Sequence, residues 1–460
     1  MRDARGVPVT AASAEAAAAL DATVMAYCGF RSDTGDCLKR ALAADPQLVM
    51  AHILKGCFMM LFGRRDFVAK AERAAQAAEA TIREVGAEAR ERRHLEALHC
   101  WIRGDNEGAL QRWEAILLDE PRDLVALKLA QYSTFYRGDS AGMRDSLARV
   151  LHAWDEAVPG YGFVLGCHAF GLEETGDYAA AERAGRRAIA LNPADAWAAH
   201  AVAHVMEMQG RHREGIAWVD GLDREWAGCN NFVFHIRWHR ALFHLDLGEY
   251  DRVLERYDRE IRAESTEDYL DITNAVALLW RLEEAGVDVG RRWAELAERS
   301  AARLDDHILV FADLHYVMAL AAAGDAEGVE RWLRSARRYA EAGEGQSRVM
   351  AEIGLGLAEA AIAHRRREWG RVVERLTPLR RAVHAIGGSH AQRDLFGEML
   401  IDAALKDGRF ALARALLSER THLRPRNIWG WTQAARAAAA VGQEAAAAAA
   451  EAEARRLRAA

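Results

Sequence analysis

The chain has 460 residues, of which 51% are hydrophobic and 28% are charged, enough for an extensive apolar core. Its 61 basic and 68 acidic residues give a formal net charge of −7, and the basic residues form no long run. This charge balance argues against a partner bound through its phosphate backbone, so we expect no nucleic-acid binding.

The apolar segments and the cysteines indicate a reduced compartment without a membrane anchor. No apolar run reaches the ~18 residues that a membrane span requires, and the N-terminus lacks the pattern of a secretory signal. The six cysteines form no C-x-x-C pair, which is typical of buried, reduced thiols. They are Cys28, Cys37, Cys57, Cys100, Cys167 and Cys229. We therefore predict a cytoplasmic protein that does not contact a membrane.

In chain order, the predicted elements are all helical, because apolar residues recur at helical spacing and strand patterns are scarce. We predict an N-terminal helical cap over 1–39 and regular repeats over 40–260. Divergent repeats follow over 261–434, and a C-terminal capping helix covers 435–460. These divisions follow changes in composition and in the spacing of the turns.

Glycines that mark helix turns give the repeat its length. Gly104 and Gly138 are 34 residues apart, as are Gly176 and Gly210. A helix–turn–helix period of about 34 residues is typical of tetratricopeptide (TPR) repeats, which stack to share one core. The predicted fold is an all-α, TPR-like α-solenoid, a superhelix of antiparallel helix pairs.

A stripe of polar residues interrupts this pattern on one predicted first helix. His200, His204 and Glu207 stand at i, i+4 and i+7 and therefore share one helical face. Two histidines at i and i+4 can chelate zinc, although Ala201 replaces the glutamate that an H-E-x-x-H helix places next. Counted from the turn at Gly210, all three occupy positions that line the concave groove of TPR repeats. We predict that they are catalytic and that they bind a divalent metal, either zinc, iron or manganese. A solvated or hydrogen-bonded groove face without chemistry is the equally open alternative.

The next repeat adds further polar and aromatic candidates. Counted from Gly248, His235 and Trp238 occupy groove positions, and His239 lies next to them. We predict that His239 is catalytic and that His235 and Trp238 bind substrate. Hydrogen bonding between helices is an equally open interpretation of His235 and His239.

The preceding repeat contributes His168, which occupies a normally apolar position, with Glu173 and Glu174 near the groove. We predict that His168 binds substrate. A buried histidine that only satisfies its hydrogen bonds is the alternative.

Two later segments are predicted to close the site. Asp313 and His315 form an Asp-x-His pair on another first helix, and we predict that both bind substrate. The second segment is a glycine-rich turn that leads into a helix with Ser389 as its N-cap, where backbone N–H groups and an arginine could hold an anionic group. From it we predict His390 as catalytic and the remaining polar side chains as substrate-binding: Gln392, Arg393 and Asp394. A plain turn between helices remains the alternative.

Three stretches resemble the tetratricopeptide repeat protein 38 family, with motifs more specific than the general TPR pattern. They are Asp195–Arg211, Phe234–Phe243 and Gly387–Asp394, and the similarity extends from about residue 20 to 435. The resemblance implies an all-helical TPR-like fold and leaves the activity open.

Two functions are compatible with these patterns. In the first, a histidine-rich small-molecule site in the concave face belongs to a metal-dependent or His/Glu acid–base enzyme, hydrolase-like or lyase-like. In the second, a non-catalytic TPR scaffold binds a peptide or protein in its groove. A superhelix closed by the 384–435 segment would favour the first function. A homodimer is compatible with either.

Overall fold

Antiparallel helix pairs form the architecture of the protein. A computed structural model describes residues 1–459, and within this range the only β-type pairing is two isolated bridges, Arg2–Pro8 and Arg31–Cys229. The predicted all-α, TPR-like solenoid is confirmed. None of the described helices combines the length and apolar character needed to cross a bilayer.

The first twelve helices are regular hairpins joined by short turns. They are α1 (Ala14–Cys28), α2 (Thr34–Ala44), α3 (Val49–Leu61), α4 (Arg65–Val85), α5 (Ala89–Ile102), α6 (Asn106–Asp119), α7 (Leu124–Tyr136), α8 (Ser140–Val150), α9 (Tyr161–Glu174), α10 (Tyr178–Leu191), α11 (Ala196–Met208) and α12 (His212–Leu222).

The later helices are less regular, and π-helical turns occur at Tyr257–Ile261 and Met350–Gly354. The helices are α13 (Phe232–Leu247), α14 (Tyr250–Arg256), α15 (Tyr269–Glu284), α16 (Arg292–Ala301), α17 (Val310–Ala323), α18 (Ala326–Ala340), α19 (Ser347–Val349), α20 (Leu355–Arg365), α21 (Trp369–Leu379), α22 (His390–Lys406), α23 (Phe410–Leu423), α24 (Ile428–Ala440) and α25 (Glu444–Ala459).

A Gly-Asp dipeptide forms several of the turns within a hairpin. Gly138 has φ +68°, a left-handed conformation that ends α7, and the Asp139 carboxylate accepts a hydrogen bond from the Gly142 N–H at 2.8 Å. Asp105, Asp177 and Asp325 cap the helices that follow them in the same way. Glycine permits the left-handed conformation and aspartate satisfies an unpaired helical N–H, so this dipeptide fixes the hairpin.

The divisions inferred from composition do not coincide with helix ends. Residues 39 and 434 lie inside α2 and α24, and residue 260 lies inside the π-helical turn Tyr257–Ile261. Of the predicted capping helix 435–460, the described residues 435–459 comprise the end of α24, a turn and α25. Composition changes gradually along a repeat array, whereas helix ends are set by individual capping residues.

The superhelix closes on itself, because residues about 200 positions apart touch across successive windings. The backbone N–H of Asn230 donates to the carbonyl of Phe30 at 2.6 Å, and that of His390 donates to Glu174 Oε1 at 2.8 Å. Further contacts of this kind join Arg64 to Glu267 and Gln346 to Tyr136. Helix α22 packs against both α11 and α15, so the start of the 384–435 segment covers the concave side.

We expect that replacing Gly138 by alanine weakens this closure. The added Cβ would overlap the backbone carbonyl of His384 on the next winding, in addition to the strain of a positive φ. Gly176→Ala is the matched control, because its φ is +86° and its Cβ would meet open space. Chemical denaturation should show a loss of about 1 kcal/mol for the control and about 3 kcal/mol for Gly138→Ala. Equal losses would contradict the closure.

Candidate functional site

Four histidines converge in the interior of the superhelix. The Nε2 atom of His200 lies 2.9 Å from Nε2 of His204 and 2.9 Å from Nε2 of His235. The ring of His239 completes the group, with its centroid 4.3 Å from that of His204. One nitrogen of each ring lies within 4.8 Å of the others, and none of the four residues is more than 4% exposed. We call these residues the four-histidine cluster.

Helical spacing explains how two neighbouring first helices build the cluster. His200 and His204 lie one turn apart on α11, and His235 and His239 lie one turn apart on α13. Side chains at i and i+4 share a face, and α11 packs beside α13 in the array. Each helix therefore presents two imidazoles to the other.

Side chains behind the cluster hold the outer nitrogens of two rings. Nδ1 of His235 donates to Asn274 Oδ1 on α15 at 3.1 Å, and Nδ1 of His239 shares a hydrogen bond with Glu207 Oε2 at 2.7 Å. A partner on the outer nitrogen fixes the tautomer and leaves the inner nitrogen free to ligate. This arrangement directs Nε2 of both rings to the centre.

Aromatic side chains enclose the rings and exclude water from them. Trp238 is fully buried and stacks on His235 at a centroid distance of 5.5 Å, while Phe170 lies 5.3 Å from His204. Trp197 contacts His200 at 5.1 Å. Trp238, which we predicted to bind substrate, packs against the ring of His235.

Burial keeps the imidazoles in their neutral form. It lowers the pKa of His200, His204 and His235 well below the usual value, and the neighbouring rings lower it further. Burial lowers the pKa of His239 to about 3. Neutral imidazoles keep a lone pair, which is the form that binds metal ions.

Glu207 does not share the position predicted for it beside His200 and His204. The carboxylate of Glu207 contacts Nδ1 of His239 and is not one of the ligand atoms that converge in the four-histidine cluster. Burial raises the pKa of Glu207 to about 8, although Arg424 and Arg281 oppose the shift. His200 and His204 therefore converge with His235 and His239 and not with Glu207, which holds the ring of His239 in position.

Two adjacent glutamates at the end of α9 lie on the other side of His204. Glu174 accepts hydrogen bonds from the His390 backbone at 2.8 Å and from Arg393 at 3.2 Å. Neither oxygen of Glu173 has a hydrogen-bond partner, and its Oε2 lies 3.6 Å from Nδ1 of His204. Burial, followed by repulsion from Glu174, raises the pKa of Glu173 well above the usual value.

The predicted glycine-rich turn reaches this region, but its side chains have internal partners. Ser389 caps α22, as predicted, and Gln392 bonds back to the Ser389 N–H at 2.9 Å. Arg393 donates to Glu174 and to the Gly388 carbonyl, while Asp394 binds Arg420 through both oxygens at 2.7 Å. Each of these three side chains thus has a partner within the protein, and the substrate-binding roles of Gln392, Arg393 and Asp394 remain predictions.

His390 is the most exposed of the predicted catalytic residues. Its side chain is 38% exposed, and its Nε2 contacts the backbone carbonyl of Glu174 at 3.0 Å. It therefore lies at the solvent edge of the glutamate pair and outside the four-histidine cluster.

Three predicted residues are not brought to the cluster. Asp313 bonds Nδ1 of His307 at 3.2 Å, and Nδ1 of His315 donates to the Phe311 carbonyl at 2.8 Å. His168 is half-buried on α9 and takes no part in the cluster. Helical spacing placed these side chains on first helices, but it did not fix the direction in which each one points.

Sequence reasoning missed Asn274, which orients His235. Its signal is a polar residue within the largely apolar stretch Ile272–Leu282 of α15, all eleven residues of which are buried. Because a buried amide requires hydrogen-bond partners, this residue could have been predicted to contact another buried polar side chain.

A separate cavity lies between the windings, beyond an aromatic layer. Its volume is about 390 Å³, and its lining includes Trp101, Tyr132 and Tyr136. Tyr136 contacts Phe135 at 4.9 Å, which in turn contacts Phe170 at 5.8 Å beside His204. Aromatic side chains therefore stand between this cavity and the four-histidine cluster.

The lowered histidine pKa values predict a loss of stability in acid. In the unfolded chain the histidines bind protons below pH ~6.5, whereas in the folded protein they stay neutral. The free energy of unfolding therefore decreases as the pH drops below that value. The raised pKa of Glu207 has the opposite effect on stability, and this effect is the same in the wild type and in the variant His235→Gln. The free energy of unfolding is measured with denaturant at pH 7 and at pH 5, in buffer that contains a chelator. Its decrease between the two pH values should be smaller for His235→Gln than for the wild type. Parallel losses would contradict buried neutral rings.

No family model matches the chain, and solved structures resemble it only distantly. A human IFIT1 dimer with PPP-AAAA is 13% identical at a TM-score of 0.41, covering 90% of this chain and 91% of that one. A structure of Naa15/Naa10 bound to HypK-THB is 15% identical at a TM-score of 0.27, covering 95% of this chain and 63% of that one. The P58(IPK) TPR domain is 14% identical at a TM-score of 0.23, covering 80% of this chain and 93% of that one. Similarity at this level concerns helical-repeat architecture and carries nothing about the site.

Proposed function

We propose that the protein is a metal-dependent enzyme that acts on a small molecule inside the closed superhelix, in a hydrolase-like or lyase-like reaction. The four-histidine cluster would hold a divalent transition-metal ion. The observation that carries this proposal is the convergence of four buried ring nitrogens while Asn274 and Glu207 occupy the outer nitrogens of two rings.

Proton counting favours a metal over a hydrogen-bonded network. With Nδ1 of His235 donating to Asn274, that ring directs a lone pair inward. Nε2 of His200 carries at most one proton, yet it lies 2.9 Å from two other ring nitrogens. One N–H cannot satisfy that many acceptors, whereas a cation accepts all the lone pairs at once. An all-nitrogen set suits zinc or iron better than manganese.

A bound ion would supply Lewis acidity, by lowering the pKa of water or polarising a substrate oxygen. The protein side chains would do the rest. Glu207 fixes the orientation of His239, and the aromatic side chains around the rings exclude water. Glu173, whose pKa is raised by burial, lies beside His204.

Enclosure supports a small molecule over a peptide as the ligand. The groove positions of His200 and His204 are at most 2% exposed, and α22 packs across α11. An extended peptide would have to displace α22 to reach them. The peptide-binding scaffold therefore becomes an outcome of the test below.

The broader assignments are also proposals. We propose membership of the tetratricopeptide repeat protein 38 family on the basis of the three motifs already given. Six free cysteines support a reducing, cytoplasmic compartment. The absence of nucleic-acid binding and a homodimer remain predictions.

Metal content tests the proposal directly. Elemental mass spectrometry of the purified wild type should find zinc or iron near one equivalent or above, and the His200→Ala/His204→Ala variant should lose it because two of the four ligands are gone. The matched control is His152→Ala/His422→Ala, two exposed histidines, and it should retain the metal. A wild type without metal, and without uptake from added Zn²⁺, would overturn the proposal and favour the scaffold.

Glu207 offers a second test that leaves every ligand in place. Glu207→Ala frees the ring of His239, so we expect the dissociation constant for Zn²⁺ to rise about 10- to 100-fold. Competition with a chromophoric chelator measures this constant. Glu298→Ala, an exposed position on α16, should leave it unchanged. An unchanged constant in Glu207→Ala would remove the positioning role.

A further inference from the structure

Two carboxylates and a ring nitrogen meet beside the four-histidine cluster without a common partner. Glu173 and Glu174 are the last two residues of α9, and both are at most 4% exposed. One oxygen from each and one nitrogen of His204 lie within 4.8 Å of one another. This group is distinct from the cluster, although His204 belongs to both.

Glu173 lacks the partners that a buried carboxylate requires. Its side chain is fully buried, and neither oxygen takes part in a hydrogen bond within the described residues. Its Oε2 lies 3.6 Å from Nδ1 of His204, which also has no partner and is too distant for a hydrogen bond. Protonating Glu173 would remove the charge but would leave an O–H group without an acceptor. A proton alone therefore does not satisfy this group.

The separation of these atoms fits a shared cation. Two ligands bound at ~2.1 Å to one tetrahedral ion stand about 3.4 Å apart, close to the 3.6 Å between Glu173 Oε2 and His204 Nδ1. An ion between them would satisfy both orphaned atoms.

The position at the end of α9 also favours positive charge. The C-terminus of a helix carries partial negative charge, and acidic residues are normally placed at the opposite end. Here two adjacent carboxylates add to that charge, and Arg393 pairs with Glu174 only. Within the described residues, the only ion-pair partner of Glu173 is His204. Glu173 therefore has no arginine or lysine of the described chain in direct contact.

We propose that Glu173, Glu174 and Nδ1 of His204 bind a second divalent cation, so that His204 bridges it to the ion of the four-histidine cluster. This inference rests on the proposed function only in that it assumes the first ion. The second ligand set contains two oxygens and one nitrogen, which suits a harder cation such as Mn²⁺. Binding at both nitrogens of His204 releases its ring proton to solvent, so loading of the second ion is favoured at higher pH.

Sequential loading tests the second site. The metal-free protein receives one equivalent of Zn²⁺, which the all-nitrogen cluster binds, and is then titrated with Mn²⁺ while the six-line resonance of aqueous Mn²⁺ is followed. We expect the wild type to remove about one equivalent of Mn²⁺ from solution. Glu173→Gln has the same size without the charge, so it should keep the Zn²⁺ and lose the Mn²⁺ uptake. Glu298→Gln is the matched control and should keep both.

The outcomes separate the two proposals. A wild type that binds Zn²⁺ but removes no Mn²⁺ overturns the second site and leaves the four-histidine proposal standing. A wild type that binds neither ion overturns both. Mn²⁺ uptake that persists in Glu173→Gln, with circular dichroism showing a folded variant, overturns the assignment to Glu173. If that variant does not fold, Glu173→Asp keeps a carboxylate of shorter reach, and Mn²⁺ uptake equal to the wild type overturns the proposed geometry.

Discussion

The burial of polar side chains inside a closed winding is the constraint on which the rest of the structure depends. A buried charge or hydrogen-bonding group is costly unless it finds a partner. Most groups in the interior do: Arg281 binds Glu398 at 3.0 Å, and Asp394 binds Arg420. Buried polar atoms without a partner occur along the chain, and they include both oxygens of Glu173, Nδ1 of His204 and Nε2 of His239. The candidate site is distinguished by the convergence of four histidine nitrogens beside this unpartnered carboxylate.

The parts of this arrangement that sequence predicts are those set by local geometry. The turn glycines give the repeat length, and an i, i+4 pair on α11 must present two imidazoles to one side because of helical spacing. The N-cap of α22 at Ser389 follows from its residue type. These features need no knowledge of distant residues, so the all-α solenoid and the pair His200 and His204 could be inferred from the chain alone.

Contacts between windings could not be inferred in this way. Glu174 meets His390 across 216 residues, and that meeting depends on the pitch of the whole superhelix, which accumulates small rotations from every repeat. Glu207 shows the same limit at short range. Its i+7 position gives the correct face of α11, but the relative displacement of α13 places His239 in between. Spacing along one helix does not determine which side chain of the neighbour comes first.

Closure also has a consequence for ligand exchange. The rings of the four-histidine cluster are almost inaccessible to solvent, so an ion or substrate reaches them only when packed elements separate. The contacts nearest the solvent are those of Glu174 with His390 and Arg393, which link α9 to the start of α22. These bonds involve a charged acceptor and are therefore among the stronger ones in the interior. An ion bound at the cluster would add to the stability of the closed state, since it binds only the folded form in which four nitrogens converge. Slow exchange and tight closure are thus two results of the same buried contacts.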